Sequence, residues 1–195
     1  MLRQTLGGAL RFTVLIWVVC GLTYPLLEVG LNQLLFPLTA NGSLVRMDHR
    51  VVGSQLIGER FTGPGWFHGR PSAAGYHAMD SGASNLGPAS RRLRDHLLAR
   101  RARLVRQHPA LAAVRLPADM ITSSGSGLDP DISIANARLQ APWVARARGL
   151  GLAQVRALVT RATRGRWLGL FGEPRVNVQV LNWSLAAAVR QGRGR

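Results

Sequence analysis

Residues 123–133, SSGSGLDPDIS, bring together groups that nucleophilic or anion-binding loops use. A serine hydroxyl becomes a nucleophile when a base activates it, and successive glycine amides can form an anion-binding nest. A G-x-S-x-G hydrolase turn would need glycines two residues to either side of Ser126, but Ser124 and Leu128 occupy those positions. The pattern G-x-G-x-x-G fails too, because Pro130 replaces its third glycine.

The spacing therefore leaves two interpretations of this stretch. It is an anion nest, or it is a tight turn whose Asp and Ser side chains bond to the backbone. A serine hydrolase built around Ser124 or Ser126 is a separate hypothesis, which a serine-directed covalent probe would test.

The other chemistry-bearing residues exclude several mechanisms. All 25 basic residues are arginine, so the sequence has no Walker A lysine, no Schiff-base lysine and no Ser-x-x-Lys acylation site. The five histidines form no i, i+4 pair, and the nine carboxylates are dispersed along the chain. The single cysteine, Cys20, rules out a disulfide framework or a cysteine-based zinc site. We expect no catalytic residue, no metal site and no cofactor bound by this chain itself.

The N-terminal residues 1–36 contain a predicted membrane span. No charge occurs from Phe12 to Leu27, and a helix over about residues 10–31 supplies the roughly 20 residues that a bilayer core requires. A cleaved signal peptide is the alternative, but no small-x-small cleavage site follows the apolar run. Arg3 and Arg11 precede the span and no further arginine occurs before Arg46, which predicts a cytoplasmic N-terminus. The rest of the chain then lies on the other side of the membrane, outside the cytoplasm, in a single-pass protein.

Beyond the span we predict a connector over residues 37–52 and an extracytoplasmic domain over residues 53–195. Residues 61–88 are rich in glycine and proline, with interleaved aromatic residues that must pack against something. The predicted elements are a strand over 53–61, helices over 90–107, 143–148 and 152–163, a strand over 175–181 and a C-terminal helix. A further helix through Leu139 is predicted to begin at Asp129 and Pro130 or at Ser133, and Pro142 ends it. The fold class is α+β, with one N-terminal transmembrane helix and a mixed, mostly helical domain.

The predicted helix over 90–107 is strongly basic, and the chain as a whole has a formal net charge of +16. Its arginines form a solvated face, or they contact anionic lipid headgroups or an acidic partner. A membrane-anchored domain that binds anionic glycan or nucleic acid is the alternative function. Nucleic acid is disfavoured because a domain outside the cytoplasm rarely meets it.

Six blocks of the sequence together resemble the C subunit of the bacterial Kdp-type potassium-transporting P-type ATPase. The resemblance covers nearly the whole chain. The blocks are GSQLIGERF (53–61), RPSAAGY (70–76), SGASNLGP (81–88), PADMITSSGSGLDPDIS (117–133), VARARG (144–149) and GEPRVNVQVLN (172–182). The sequence departs from the usual family pattern at Glu59, Ala83 and Trp143, where glutamine, glycine and arginine are usual.

The resemblance implies a non-catalytic subunit of a high-affinity potassium importer. With the predicted orientation, it also implies a single-pass protein of the bacterial inner membrane whose main domain is periplasmic. Its partners would be a channel-like potassium-binding subunit, a P-type ATP-hydrolysing subunit and the lipid bilayer. Members of the family are needed for assembly and are described as catalytic chaperones that raise the ATP affinity of the hydrolysing subunit. In that family, the segment that begins at the position of Gln140 is associated with nucleotide contact. The predicted orientation instead places Gln140 across the bilayer from cytoplasmic ATP.

The blocks that resemble the family also supply the residues that we expect to contact a partner or to form an internal scaffold. These are Arg70, Pro71, Ser72, Ser81, Asn85, Ser124, Gly125, Ser126, Gly127, Asp129, Asn177 and Asn182.

Overall fold

The computed structural model describes residues 2–47 and 50–193. The chain divides into two compact units, Met1–Leu44 and Val45–Arg195. The first unit is helical: α1 (Leu2–Ile16) continues through a π-helical segment, Trp17–Thr23, into α2 (Tyr24–Leu35), and a short α3 (Pro37–Ala40) follows.

The helix from Arg3 to Leu35 is long and apolar enough to cross a membrane, as predicted. Its 33 residues would extend roughly 50 Å at about 1.5 Å per residue, more than a hydrocarbon core needs. Pro25 has no N–H and its ring crowds the preceding turn, and the helix widens to π geometry immediately before it. The Thr23 hydroxyl bonds to the Val18 carbonyl five residues back at 3.1 Å, which fits that wider turn.

The second unit combines two small sheets with four helices. Strands β1 (Leu44–Met47) and β2 (Arg50–Ser54) form a two-stranded sheet. Strands β3 (Asp131–Ser133), β4 (Thr163–Arg164) and β5 (Arg175–Asn177) form an antiparallel sheet in the order β3-β5-β4. The helices are α4 (Arg91–Gln107), α5 (Ile134–Arg148), α6 (Leu152–Arg161) and α7 (Val178–Arg193), with short 3-10 turns at Pro109–Ala113 and Ala118–Met120.

The core of this unit lies between α5, α6, α7 and the three-stranded sheet. Small residues on α5 allow close packing, and Val155 and Val159 of α6 face it, whereas Leu152 at the start of α6 is exposed. The core side chains are Phe67, Ile132, Ala137, Ala141, Val144, Ala145, Val155, Val159, Ala162, Val176, Val178, Leu181 and Leu185. Phe67 comes from the glycine-rich loop and is fully buried.

Two of the helix boundaries follow from capping. Ser90 accepts the Leu93 amide at 3.4 Å to begin α4, and Ser133 accepts the Asn136 amide at 3.1 Å to begin α5. The predicted break at Pro142 is wrong, because α5 continues through it to a left-handed Gly149. Pro142 is exposed, while Ala141, Val144 and Ala145 stay buried. Packing of that continuous face offsets the roughly 3 kcal/mol that an internal proline costs.

Two strand predictions are also wrong in part. Residues 55–61 form turns and an irregular loop, so only Gly53 and Ser54 of the predicted strand are in β2, which begins in the predicted connector. The alternating valines of residues 175–181 are strand only to Asn177. There the Asn177 side chain accepts the Val180 amide at 3.0 Å and starts α7.

Candidate functional site

Asn182 holds the glycine-rich loop through the backbone of Phe67. Its side-chain oxygen accepts the Phe67 amide at 2.9 Å, and its nitrogen donates to the Phe67 carbonyl at 2.9 Å. Asn182 is fully buried in α7. Phe67 lies in a loop that pairs with no neighbouring strand, so the Asn182 amide makes the two hydrogen bonds that a strand would otherwise make. It thereby satisfies two backbone groups that water cannot reach.

Gln140 holds the next residue of the loop in the same manner from α5. Its Oε1 accepts the His68 amide at 2.8 Å, and its Nε2 donates to the His68 carbonyl at 2.9 Å and to Asn136 Oδ1 at 2.8 Å. Gln140 is 2% exposed. Both N–H donors of this side chain are therefore in use, and a nucleotide contact through them would have to break these bonds.

The network extends from Asn136 to Asp119. The Asp119 carboxylate accepts the Asn136 side chain at 2.9 Å, the Ser133 amide at 2.7 Å and the Ser133 hydroxyl at 2.9 Å. Ser133 is also the N-cap of α5, so one carboxylate ties the 3-10 turn at Ala118–Met120 to the start of the helix. Three charge-assisted bonds make this carboxylate a strong local support.

Further side chains fix the part of the chain that precedes Phe67. Asn177 donates to the Gln55 carbonyl at 2.9 Å, and Gln179 donates to the Ile57 carbonyl at 2.6 Å. The Arg148 guanidinium donates to the Gly65 carbonyl and lies 3.8 Å from the Trp66 ring centroid. These contacts confirm that the aromatic residues of the glycine-rich loop pack onto the domain.

The SSGSGLDPDIS stretch is paired with residues 70–82. Most of the hydrogen bonds between the two segments join a backbone amide or a serine hydroxyl to a backbone carbonyl. The ion pair between Arg70 and Asp129, at 3.1 Å, joins the same two segments. The bonds are Ser124 amide to Pro71 carbonyl at 3.0 Å, Ser72 hydroxyl to Gly127 carbonyl at 2.6 Å, Gly82 amide to Ser126 carbonyl at 2.8 Å, Ser81 hydroxyl to Ser126 carbonyl at 3.0 Å and Arg70 to Ser123 carbonyl at 3.2 Å. The structure thus brings most of the predicted loop residues together.

The serine side chains in this stretch support turns. Ser126 Oγ accepts the Leu128 amide at 3.1 Å, and Ser124 is 2% exposed. Asp129 Oδ1 likewise accepts the Asp131 amide at 3.0 Å. Within the described residues, neither serine is hydrogen-bonded to a histidine, the usual base for a serine nucleophile. Asn85, also expected in the scaffold, is exposed with a positive φ of 51°.

Gly127 and Gly125 give a matched pair of substitutions in this stretch. Gly127 has a φ of +71°, and a Cβ there would lie 2.8 Å from the Gly82 carbonyl oxygen, whereas a Cβ on Gly125 meets nothing within 4 Å. We expect Gly127→Ala to lower the free energy of unfolding by about 2 kcal/mol through backbone strain and this clash. Gly125→Ala should change it by less than about 0.5 kcal/mol. Urea unfolding curves would measure both, and equal effects would contradict the pairing of the two loops.

A basic cleft of about 730 Å³ lies between α4, the glycine-rich loop and α5. Arg60, Arg100, Arg103, His68 and His108 line it, and no carboxylate does among the described residues. Arg100 is anchored, because it donates to the Ile121 carbonyl at 2.8 Å and to the Ser123 hydroxyl at 3.0 Å. The cleft is electropositive and therefore attracts anions rather than cations.

Two histidines in the cleft are held toward their neutral forms. Burial lowers the pKa of His68, partly opposed by a hydrogen bond with Gln140, and burial also lowers the pKa of His108. The His108 ring stacks on Trp143 with centroids 4.0 Å apart. Trp143 thereby supplies an aromatic wall to the cleft.

These lowered pKa values predict acid sensitivity. A histidine with a lower pKa in the folded state binds fewer protons than it does in the unfolded chain, so its contribution to stability is present above about pH 6.5 and is lost as the pH falls through the folded pKa. We expect the thermal midpoint to fall between pH 7.5 and pH 5, and to fall less in His68→Gln. Burial raises the pKa of Glu59, so protonation of this carboxyl adds stability as the pH falls and opposes the effect of the histidines. The wild type and His68→Gln are therefore compared with each other at each pH, since both contain Glu59.

Sequence reasoning missed several of the supporting residues. No role was predicted for four residues of the network that supports the loops. They are Asp119, Asn136, Arg148 and Gln179. Asn136 and Gln140 gave a usable signal, since they are polar residues four apart on a helix face that otherwise carries alanine and valine. In the described part of the chain, no group of three histidine, cysteine or acidic side chains could hold a metal ion.

Among the described residues, one helix is long and apolar enough to span a membrane, and an α+β unit whose polar side chains largely support its own loops follows it. These features define a class of protein that combines a candidate membrane-spanning helix with a small structured domain. The family model for the K+-transporting ATPase, c chain, matches residues 6–187. The chain therefore belongs to the KdpC family, which confirms the family resemblance of its sequence blocks.

Curated relatives agree over nearly the full length of the chain. The potassium-transporting ATPase KdpC subunit of Gemmatimonas aurantiaca is 52% identical over 94% of this chain and 93% of its own length. The KdpC subunit of Gloeobacter violaceus is 48% identical over 93% of this chain and 95% of its own length. The KdpC subunit of Caldanaerobacter subterraneus is 44% identical over 96% of this chain and 97% of its own length.

Proposed function

We propose that this chain is a non-catalytic accessory subunit of an ATP-driven potassium import complex. The single observation that carries the proposal is the family match over residues 6–187, which includes both the apolar helix and the α+β unit. The chain would assemble with a channel-like potassium-binding subunit and a P-type ATP-hydrolysing subunit in the bacterial inner membrane. Neither ATP nor potassium would bind to this chain itself.

The internal use of its polar residues supports a mechanical role. The loops and helices of the domain itself are the hydrogen-bond partners of Asn182, Gln140 and Asp119. Such a domain presents loops of fixed shape, and preformed loops bind a partner surface at a lower entropic cost than mobile ones. We infer that the chain raises the ATP affinity of the hydrolysing subunit through assembly, by stabilising one arrangement of the complex.

The proposed topology has a cytoplasmic N-terminus and a periplasmic α+β domain. Arg3 and Arg11, in the N-terminal part of the apolar helix, support it, since no further arginine occurs before Arg46. A domain on that side could cover the outer potassium entrance of the channel-like subunit. In the membrane, small and apolar faces of the span, including Gly21 and Thr23, would pack against that subunit.

Co-purification tests the proposed assembly. A tagged chain is expressed at its native level, membranes are solubilised in mild detergent, and the captured proteins are identified. We expect a P-type ATPase and a channel-like subunit in stoichiometric amounts. A tagged chain that carries an unrelated span in place of residues 10–31 is the matched control for the membrane contact. Capture of the intact chain without any P-type ATPase would reject the proposal.

Thiol labelling tests the proposed topology separately. The chain has one cysteine, Cys20, so Cys20→Ser removes the background and Met79→Cys, in an exposed loop, reports on the domain. We expect a membrane-impermeant reagent to label position 79 from the periplasmic side of spheroplasts. Labelling only after the membrane is opened would place the domain in the cytoplasm and would make direct help with nucleotide binding the better explanation.

The surface of α4 supports a second candidate function, the binding of an anionic polymer. Six of its arginines are exposed: Arg91, Arg92, Arg94, Arg101, Arg103 and Arg106. A glycan or nucleic acid bound there would dissociate steeply as the salt concentration rises. Binding of such a polymer by the purified full chain without partner subunits would favour this function over the first.

A further inference from the structure

The turn between β4 and β5 carries four large apolar side chains that the domain does not cover. Trp167 is 68% exposed, Leu168 71%, Leu170 75% and Phe171 60%. They follow one another within five residues, and none of them belongs to the core cluster or to the side chains packed against it. Single exposed apolar residues are common, but a contiguous group of this size marks an interaction surface. We call residues 167–171 the apolar tip.

Backbone hydrogen bonds hold the apolar tip in a defined turn. The Trp167 amide donates to the Phe171 carbonyl at 2.9 Å, and the Phe171 amide donates back to the Trp167 carbonyl at 3.0 Å. The Trp167 and Phe171 rings lie 5.7 Å apart, centre to centre. Leu168 has a φ of 52°, which is rare for a branched residue, and Gly169 follows at 75°. The turn thereby directs its leucines outward instead of letting them fold back onto the domain.

Arginines surround the base of the apolar tip. Arg164 and Arg175 lie opposite each other in the β4–β5 pair, and Arg166 immediately precedes the tip. Arg175 is paired with Asp131 at 2.8 Å, whereas Arg166 reaches Glu173 only at 3.7 Å, in a pair whose acid is 86% exposed. An ion pair of that kind is weak, so the Arg166 guanidinium remains available to another anion.

We propose that the apolar tip inserts among the headgroups of an anionic lipid bilayer, the one in which this chain's own helix is anchored. The observations fit a lipid surface, because an exposed turn of aromatic and aliphatic side chains with arginines at its base matches the composition of segments that lie at the membrane interface. Arginine next to the tip complements phosphate headgroups, while the rings and leucines enter the apolar boundary. This inference rests on the membrane anchoring in the proposed function, but not on the identity of the partner subunits.

The test places a fluorescent reporter on the tip of the full chain. In a Cys20→Ser background, Leu168→Cys is labelled with an environment-sensitive dye, and the chain is reconstituted alone into nanodiscs of phosphatidylcholine with or without phosphatidylglycerol. Met79→Cys, 86% exposed in another loop, is the matched control. We expect a blue shift and a several-fold stronger quenching by nitroxide-labelled lipids at position 168 than at position 79.

Charge variants and partner subunits complete the test. Arg166→Gln should weaken quenching at position 168 in discs that contain phosphatidylglycerol and leave it unchanged in discs without it. The inference is overturned if position 168 is quenched no more than position 79 in both lipids. It is also overturned if position 168 becomes shielded only when partner subunits are added, which would assign the tip to a protein surface. Insertion by a chain that captures no P-type ATPase would contradict the proposed function and leave this inference standing.

Discussion

Replacing Asn182 by alanine is expected to lower the free energy of unfolding of the α+β unit by about 3 to 5 kcal/mol, because two buried backbone groups lose their partners at once. The Phe67 amide and carbonyl both bond to this one side chain. Phe67 itself is fully buried, so water cannot replace the lost bonds without opening the core. The substitution also leaves a cavity where the amide was.

Chemical unfolding of the detergent-solubilised chain, followed by circular dichroism, measures this effect. Ser184→Ala is the matched control: it lies two residues away in α7, and its hydroxyl bonds only to the Val180 carbonyl of the same helix at 2.8 Å. We expect that control to change the free energy of unfolding by less than about 1 kcal/mol. Equal effects of the two substitutions would show that the loop does not depend on the Asn182 amide.

The periodic parts of the fold were predictable from sequence. The arginine-rich helix α4 appears with its predicted length. The apolar N-terminal run forms a helix as predicted, but that helix covers Arg3–Leu35 and so extends beyond the predicted residues 10–31 at both ends. Periodic or uninterrupted apolar patterns of this kind can be recognised from residue types alone. The capping residue Ser90 also marks the start of α4 correctly. Local signals of this kind need no knowledge of distant parts of the chain.

The errors arose where distant contacts outweigh local propensity. The valines after Arg175 alternate as a strand does, yet Asn177 caps α7 and its side chain also bonds to Gln55, 122 residues away. Pro142 should end a helix, yet the buried face of α5 continues past it. Packing decided both cases, and no local window of sequence contains the packing partner.

The candidate site was predictable as a set of residues but not as a network. Glycine-rich blocks, serines and asparagines marked the loops, and the structure pairs residues 70–82 with residues 123–129. Which polar side chain supports which backbone group depends on the approach of segments that are 45 to 122 residues apart in the chain. Loops without strands need such side-chain partners, because their buried N–H and C=O groups must still be satisfied.

A substitution at Gln140 distinguishes most clearly between a role in supporting the domain's own loops and a role in nucleotide binding. We expect Gln140→Leu to lower the free energy of unfolding by about 3 kcal/mol, because the His68 amide, the His68 carbonyl and Asn136 Oδ1 all lose a buried partner. Less complex should then assemble. The complex that does assemble should keep the wild-type KM for ATP, since in the proposed role this side chain touches only its own domain.

Gln107→Leu is the matched control for this substitution. Gln107 lines the same cleft, but it is exposed at the end of α4, so its loss should change neither stability nor assembly. Unfolding curves, the yield of purified complex and the KM for ATP are measured for both variants. A several-fold rise in KM for Gln140→Leu with an unchanged unfolding curve would assign Gln140 to the nucleotide. That result would also require the α+β domain to lie on the cytoplasmic side, because only there can a side chain of this domain reach the ATP that drives transport.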